Sequence, residues 1–153
     1  MLRGRSTVVS VFLCFVCLLA QKPQPPARLC TNDILRRVRG LVSKAPALEW
    51  LGCRLYTPTI DDYEQKCPSS TLKCLADEIQ VLTGEWGKLD KLKRLNLHNN
   101  LRTLAWLVNQ TESGCRQCEL FKEENAERFL NDLCKILHYM NSKNCYTTLT
   151  TTS

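Results

Sequence analysis

Apolar residues recur along this chain at steps of three and four, a spacing that places them on one face of an α-helix. Four segments share this pattern, and no window alternates apolar and polar residues for long enough to predict a strand. The apolar positions are Ile34, Leu35, Val38, Leu41 and Val42; Leu72, Leu75, Ala76, Ile79 and Leu82; Leu89, Leu92, Leu95, Leu97, Leu101, Leu104 and Val108; and Ala126, Phe129, Leu130, Leu133, Ile136, Leu137 and Met140. Four such helices bury their apolar faces only against one another, so the pattern predicts an all-α four-helix bundle.

Local signals suggest where the first helix begins and ends. Candidate N-terminal caps for it are Thr31, Asn32 and Asp33. Pro46 ends or kinks this helix, because proline lacks the amide hydrogen and disfavours helix at the preceding residue. Residues 54–68 then predict a long irregular connection to the second helix.

Glycines and polar residues bound the later helices. Gly84 and Gly87 predict the end of the second helix. A slip in the apolar phase near Asn96 interrupts the third helix. The acids expected near the positive N-terminal end of the last helix are Glu119, Glu123 and Glu124.

Residues 1–20 have the composition of a secretory signal peptide. Arg3 and Arg5 precede an apolar run that ends at Ala20, after which we expect cleavage. The run is shorter than the roughly 20 apolar residues that a bilayer-spanning helix needs. The remaining boundaries predict a proline-rich leader over residues 21–29, a helical domain over residues 30–145 and a disordered threonine-rich tail over residues 146–153.

The composition changes this picture mainly through its ten cysteines. Two of them leave with the signal peptide, and eight cysteines in an oxidising compartment indicate disulfides, although they allow 105 pairings. Cys115 and Cys118 have the spacing of a redox or zinc motif, but their helical and polar surroundings favour structural bridges. The basic residues behind the net charge of +6 are not concentrated in one block of sequence, so the charge does not predict nucleic-acid binding. Two histidines without a suitable acid nearby argue against an enzyme, a metal site or another cofactor.

The cysteine layout resembles that of the interleukin-15 family. Cys67 and Cys74 are seven residues apart, and Cys115 and Cys118 are three apart. Neighbouring residues match as well, over Leu55-Tyr56-Thr57, Leu72-Lys73-Cys74 and Asn109-Gln110-Thr111-Glu112-Ser113-Gly114-Cys115. Interleukin-21 shares the layout without the Thr-Glu-Ser-Gly-Cys context, and interleukin-2 has one of the two bridges. The resemblance covers residues 55–85 and 109–141, and it extends equally to interleukin-15 and its interleukin-15-like paralogue.

This resemblance implies a secreted short-chain cytokine whose helices run up, up, down and down. It also implies the disulfides Cys67–Cys115 and Cys74–Cys118. If the first and last helices are antiparallel, Cys30 and Cys145 lie at the same end of the bundle, and we expect them to pair. The sequence does not decide the state of Cys53 and Cys134, which can pair with each other or remain free thiols.

The resemblance further implies contacts with three receptor chains. The matching positions are Glu78, Val81 and Glu85 for a private alpha chain, and His138 for the common gamma chain, where the family has a glutamine. A beta chain is expected on the first and third helices, which are least like the family. The acid expected early in the first helix is best represented by Asp33, one residue out of register, and Asn99 and Asn100 are candidates on the third helix. Without the resemblance these residues are ordinary helix surface, and Asp33 is a cap. A histidine at the gamma position would make binding sensitive to pH between about 5 and 8.

Two further expectations concern modification and function. Asn109-Gln110-Thr111 is an N-glycosylation sequon. The competing class is a cationic antimicrobial or heparin-binding helical protein, motivated by Arg36, Arg37, Arg39, Lys91, Lys93 and Arg94. A small disulfide-stapled hydrolase fits less well. We expect no membrane insertion and a monomer when free.

Overall fold

The computed structural model describes residues 30–65, 67–90, 95–110 and 113–145. Within them lie the α-helices α1 (Asn32–Lys44), α2 (Ile60–Glu64), α3 (Pro68–Asp90), α4 (Leu97–Leu107) and α5 (Ala126–Asn144), the strands β1 (Arg54–Tyr56) and β2 (Glu123–Asn125), and the 3-10 helices Ala45–Leu51 and Cys118–Leu120. The expected signal peptide, proline-rich leader and threonine-rich tail lie outside the described residues.

Helices α1, α3, α4 and α5 bury their apolar stripes in one shared core. Val38, Leu75, Leu101 and Leu130, one from each helix, are fully buried there. This confirms the all-α four-helix bundle. Across the described part of the chain, no helix is both long and apolar enough to span a bilayer.

The first and last helices of the bundle are antiparallel. A disulfide joins Cys30, just before α1, to Cys145, just after α5. At the opposite end of both helices, Arg54 of β1 pairs with Asn125 of β2, directly before α5 begins. The start of α1 therefore lies beside the end of α5.

The segment between α1 and α3 runs back along the bundle. It leaves β1 next to the start of α5, and Tyr63 of α2 then packs edge-to-face on Tyr139, near the end of α5, with ring centroids 5.9 Å apart. Helix α3 consequently starts near the end of the bundle where α1 starts, and the two helices run in the same direction.

Helix α4 returns antiparallel to α3. The hydroxyl of Ser69, at the start of α3, donates to the carbonyl of Ala105, late in α4, at 2.7 Å. His98, early in α4, donates from Nδ1 to the carbonyl of Ala76 at 2.8 Å. The order is therefore up, up, down, down, as the resemblance implied.

Three disulfides staple this arrangement. They join Cys30 to Cys145, Cys67 to Cys115 and Cys74 to Cys118. All three match the expected pairings.

Cys53 and Cys134 remain free thiols. Cys53 lines a cavity together with Ala126, at the start of α5. Cys134 is eight residues further along that helix, or about 12 Å at the helical rise. A disulfide requires Cα atoms within about 7 Å, so the alternative of a fourth bridge is excluded in this fold.

The prediction that glycines end the second helix is wrong. Helix α3 continues through Gly84 and Gly87 to Asp90. Each glycine costs a helix about 1 kcal/mol. Leu82 and Trp86, which are fully buried in this stretch, provide more than enough apolar contact to offset that cost.

The predicted start of the third helix is also wrong. Leu89 belongs to α3, and α4 begins only at Leu97. Asn96, directly before α4, has φ of 52° in the left-handed region, which breaks the helical path. The phase slip in the sequence therefore marks a true boundary between two helices.

The connection expected to be irregular contains regular structure. β1 lies in it and pairs antiparallel with β2, although the sequence predicts no strand. Three-residue strands are too short to show an alternating pattern. Helix α2 follows, and there the backbone N–H of Thr59 donates to the carboxylate of Asp62 at 2.7 Å.

Of the acids expected near the N-terminal end of the last helix, Glu123 and Glu124 directly precede it and Glu119 lies further back along the chain. Glu119 is in a 3-10 helix, Glu123 and Glu124 are in β2, and Glu127 is the acid in the first turn of α5. The side chain of Asn125 caps this helix by accepting from the backbone N–H of Arg128 at 2.8 Å.

A buried polar cluster joins the start of α1 to the end of α5. Thr31 precedes α1 but its side chain does not cap that helix. Its N–H and its hydroxyl instead donate to Oδ1 of Asn141, at 2.7 and 2.6 Å. The amide nitrogen of Asn141 donates in turn to Oδ1 of Asn32 at 3.1 Å. Polar groups at the start of α1 and at the end of α5, far apart in the chain, thus satisfy one another.

Replacing Asn141 with alanine is expected to lower the free energy of unfolding by about 2–3 kcal/mol. The change leaves the buried Thr31 donors without their acceptor, and such groups cost about 1–3 kcal/mol when unsatisfied. Urea unfolding followed by circular dichroism measures the loss. Asn99→Ala on exposed α4 surface is the matched control and should change stability by less than about 0.5 kcal/mol; an equal effect of both substitutions would contradict the role of the cluster.

Candidate partner-binding surfaces

Glu78 lies at the junction between α3 and the two-stranded sheet. Its side chain projects from α3 towards β1, where Oε2 accepts a hydrogen bond from the backbone N–H of Tyr56 at 2.8 Å. The residue is only 8% exposed. Glu78 therefore holds the first strand against α3, and only a small part of it is available to a partner.

The surroundings of Glu78 disfavour its charged form. Burial raises the pKa of its carboxyl group, whereas the hydrogen bond from Tyr56 acts in the opposite direction. The carboxylates of Asp77, Glu123 and Glu119 raise the pKa further. Acidic side chains from α3, β2 and the preceding 3-10 helix thus gather on one side of the bundle.

Val81 and Glu85 extend this region along α3. Val81 is one turn beyond Glu78 and is 45% exposed, and Glu85 is exposed one turn further on. We use the term acidic face for Glu78, Val81, Glu85, Glu119 and Glu123. The three positions assigned to the alpha receptor chain therefore share this face, with Glu78 inside and the other two outside.

The residues expected to meet a beta chain lie on α1 and α4. The guanidinium of Arg37 donates to the carbonyl of Leu95 at 2.9 Å, which holds α1 against the start of α4. Asp33 is one turn before Arg37, exposed, and within 3.8 Å of Arg36 in a solvent-exposed ion pair worth little. In the first turn of α4, Asn99 is exposed and its neighbour Asn100 is half-buried.

His138 lies on a different side, between α1 and α5. It is exposed and lines a shallow cavity of about 400 Å³ together with Arg39, Arg128, Cys134 and Lys135. Arg128 and Lys135 both pair with the buried carboxylate of Asp132, at 3.4 and 3.7 Å. The position assigned to the common gamma chain is therefore set in a basic groove.

The two free thiols are poor nucleophiles at neutral pH. Burial, together with the nearby carboxylates of Glu85 and Glu78, raises the pKa of Cys53 to about 11. Burial also raises the pKa of Cys134, although Arg39 acts against the shift. The thiolate is the reactive form, so both residues are inert side chains beside the core.

Cys115 and Cys118 belong to two different bridges, to Cys67 and Cys74 respectively. Neither sulfur is left to bind zinc or to exchange with the other. The interpretation of this spacing as structural is confirmed.

Two exposed tryptophans were missed by the sequence argument. Trp50 is 76% exposed after α1, and Trp106 is 81% exposed on α4. Their signal was present in the helical pattern, since Trp106 falls on the face of α4 opposite Leu101 and Leu104. The sequon residue Asn109 is also exposed, three positions after Trp106.

Replacing Glu78 with glutamine is expected to change how stability depends on pH. In the wild type the folded state binds the proton of Glu78 more tightly than the unfolded chain does, because the pKa is raised in the fold. The contribution of Glu78 to the free energy of unfolding is therefore fully present at pH values below its pKa in the unfolded chain. This contribution is lost as pH rises towards its pKa in the folded protein. Glutamine keeps an acceptor for the Tyr56 N–H but has no charge, so the variant should gain stability relative to wild type between pH 4.5 and 7.

Urea unfolding at these two pH values measures the difference. Glu64→Gln removes one exposed carboxylate from α2 and is the matched control for the loss of a single acidic side chain. If Glu78→Gln lost stability relative to wild type as pH rose, the assignment of an unfavourable buried charge would be wrong.

Comparisons with known proteins agree with this fold. The family model described as Interleukin 15 matches residues 11–141. Interleukin-15 of Macaca mulatta is 32% identical over 91 residues, a stretch that covers 54% of this chain and about half (51%) of that relative. Interleukin-15 of Oryctolagus cuniculus is 28% identical over 88% of this chain and 81% of its own length, and that of Mus musculus is 23% identical over 87% and 91%. No solved structure matches significantly. Since the family model spans most of the sequence, the chain belongs to the interleukin-15 family of cytokines.

Proposed function

We propose that this chain is a secreted cytokine that binds a private alpha receptor chain and assembles a beta chain with the common gamma chain to signal to lymphocytes. Family membership supports a cytokine with cytokine-receptor partners. The candidate contacts lie on three separate surfaces of one disulfide-stapled bundle, which is what simultaneous binding of three chains requires.

The acidic face carries this proposal. Its exposed Val81 offers apolar contact area beside the charge of Glu85, and further carboxylates from Glu119 and Glu123 surround it. An alpha chain with a basic surface would be steered to this face and oriented on it. Glu78 supports the site from inside by fixing the strand β1 that borders it.

The other two surfaces suit chains that bind side by side. The hydrogen bond from Arg37 to Leu95 joins α1, which carries Asp33, to the start of α4, which carries Asn99. This junction favours a beta chain across α1 and α4. His138 faces away across α5, beside Arg39, and favours the common gamma chain there. Helix α1 thus contributes to both surfaces, so the two signalling chains would be held adjacent.

The cationic alternative finds less support in the described residues. Arg36 lies near Asp33, and Arg37 is engaged with Leu95, so two of the three arginines of α1 have intramolecular partners. The other basic cluster, in residues 91–94, lies outside the described residues. Binding to anionic surfaces that disappears by about 0.3 M salt, without receptor signalling, would favour this alternative.

Charge reversal at Glu85 is expected to weaken alpha-chain binding at least tenfold, equivalent to about 1.4 kcal/mol, and to slow association most at low salt. Glu85 is exposed, so Glu85→Lys should preserve the fold, which circular dichroism checks. Glu78→Lys is less informative because it would place a lysine at a buried position. Surface plasmon resonance with soluble interleukin-15 alpha receptor measures the effect.

Glu64→Lys introduces the same charge change on α2, away from the acidic face, and should alter affinity less than twofold. Equal loss in both variants would indicate a general charge effect and contradict the assigned face.

In parallel, the purified protein should cause phosphorylation of the downstream transcription factor in lymphocytes, and Glu85→Lys should reduce the response when it depends on added alpha receptor. Absence of any response from the wild-type protein would overturn the cytokine proposal itself.

A further inference from the structure

The sequence around Tyr63 differs from that around the other tyrosines of the chain. Three acidic residues lie within two positions of it, Asp61, Asp62 and Glu64, and no basic residue lies in that window. The windows of the same width around the other three tyrosines contain no acidic residue. Tyr63 is therefore the one tyrosine set in an acidic segment, with acids both before and after it.

This acidic segment is α2, and it lies on the surface of the bundle. None of the residues of α2 is buried, and Asp61 and Glu64 are exposed. Tyr63 itself is half-buried, because its ring packs edge-to-face on Tyr139. Across the described residues, the enclosed polar side-chain atom without a hydrogen-bond partner is Nε1 of Trp86, and not the hydroxyl of Tyr63. The ring of Tyr63 thus covers the core while its hydroxyl stays at the surface.

Helix α2 can separate from the bundle without disturbing the rest of the fold. Five residues are too few for a helix that is stable by itself, and its contact with the core comes from Ile60 and Tyr63. Before α2, the backbone N–H of Thr57 donates to the carbonyl of Lys122 at 2.9 Å, and after it Cys67 is held by a disulfide. Local opening of such a short surface element costs little. The tyrosine can therefore be withdrawn while the bundle stays folded.

We propose that Tyr63 is O-sulfated as the chain passes through the secretory pathway. The sulfate donor is an adenosine phosphosulfate, a nucleotide with several negative charges, so a transferase that binds it has a basic active site. Acidic residues on both sides of a tyrosine are attracted to such a site and orient the chain in it. Asp61, Asp62 and Glu64 supply these charges. The proposal rests on the secretion proposed above, since the transfer takes place in the lumen of that pathway.

The transfer forms one bond and breaks one. The phenolic oxygen of Tyr63 attacks the sulfur of the donor, the bond between sulfur and the bridging phosphate oxygen breaks, and the adenosine phosphate leaves with that electron pair. Burial, together with the neighbouring Tyr139, raises the pKa of Tyr63 to about 12. The hydroxyl therefore keeps its proton until a base of the transferase accepts it. No atom changes its oxidation state.

A positively charged side chain lies next to the ring on which Tyr63 packs. Nζ of Lys143 is 5.4 Å from the centroid of the Tyr139 ring, and Lys143 is exposed in the last turn of α5. This cation offsets part of the repulsion between a sulfate on Tyr63 and the acids of α2. The modified ring can therefore return to its place against α5.

Metabolic labelling tests the modification. The protein is secreted from animal cells grown with radioactive inorganic sulfate, and its N-glycans are removed enzymatically before the label is counted. Wild type should carry the label, and Tyr63→Phe should carry none. Phenylalanine keeps the ring that packs on Tyr139, so the fold should be unchanged, which circular dichroism checks. Tyr56→Phe alters another half-buried tyrosine, one without acidic neighbours, and should keep the full label.

Neutralising the acids tests how the segment is recognised. Asp61→Asn combined with Glu64→Gln should lower sulfate incorporation about fivefold, because the attraction to a basic active site is lost. Removing Asp61 from the first turn also weakens α2, so incorporation would rise if access to the tyrosine alone decided the outcome. The control combines Glu49→Gln with Glu127→Gln, two exposed acids outside α2, and should leave incorporation unchanged.

Four results would overturn the proposal. They are secreted wild-type protein without label, a label that persists in Tyr63→Phe, an equal loss of label in the two double variants, and labelling by radioactive phosphate in place of sulfate, which would identify a kinase. Wild-type protein that stays inside the cells without label would refute the proposed secretion together with the sulfation. Secreted but unlabelled protein would refute the sulfation alone.

Discussion

The joining of α1 to α5 is the constraint on which the rest of the bundle depends. The disulfide between Cys30 and Cys145 closes almost the whole domain into one loop, with a sequence separation of 115 residues. In the chain-entropy description a loop of that size stabilises the fold by up to about 4–5 kcal/mol. The buried bonds of Asn141 to Thr31 fix the same junction in register. Two antiparallel helices held in this way leave α3 and α4 to complete the core, and they place Arg39 beside His138.

The other two bridges anchor α3. They tie the segment before α5 to the start and second turn of α3, with sequence separations of 48 and 44 residues. The same segment carries β2, whose pairing with β1 brings acidic side chains towards Glu78. A buried carboxylate among like charges is unfavourable by itself, and the hydrogen bond from Tyr56 compensates only in part. The acidic face is therefore held together by disulfides and backbone pairing against its own electrostatic repulsion.

Individual helices and strands show how much of the fold the sequence predicts. The apolar stripes were sufficient to predict the four bundle helices, because each stripe can be buried only against the stripes of the other helices. The ends of the helices were harder to predict. Gly84 and Gly87 disfavour helix locally, but the burial of Trp86, which lies between them, overrides that preference. The strands β1 and β2 were missed because each is stabilised by a partner about 70 residues away. For the candidate surfaces, the family resemblance supplied positions, whereas exposure separated the buried Glu78 from the accessible Val81 and Glu85.

The sequence by itself predicted the class of fold, because periodic burial of apolar stripes requires a helical bundle, and the context of its cysteines carried the resemblance to the interleukin-15 family. That resemblance implied two of the disulfides, and an antiparallel arrangement of the first and last helices predicted the third, between Cys30 and Cys145. The sequence left the partners of Cys53 and Cys134 open, and it did not single out Trp106. Only the tertiary structure decided these points. It places Cys53 beside the start of α5, too far from Cys134 for a bridge, and it leaves Trp106 exposed on the solvent side of α4. The physical reason is that distance and exposure arise from contacts between helices far apart in the chain, which local patterns do not encode.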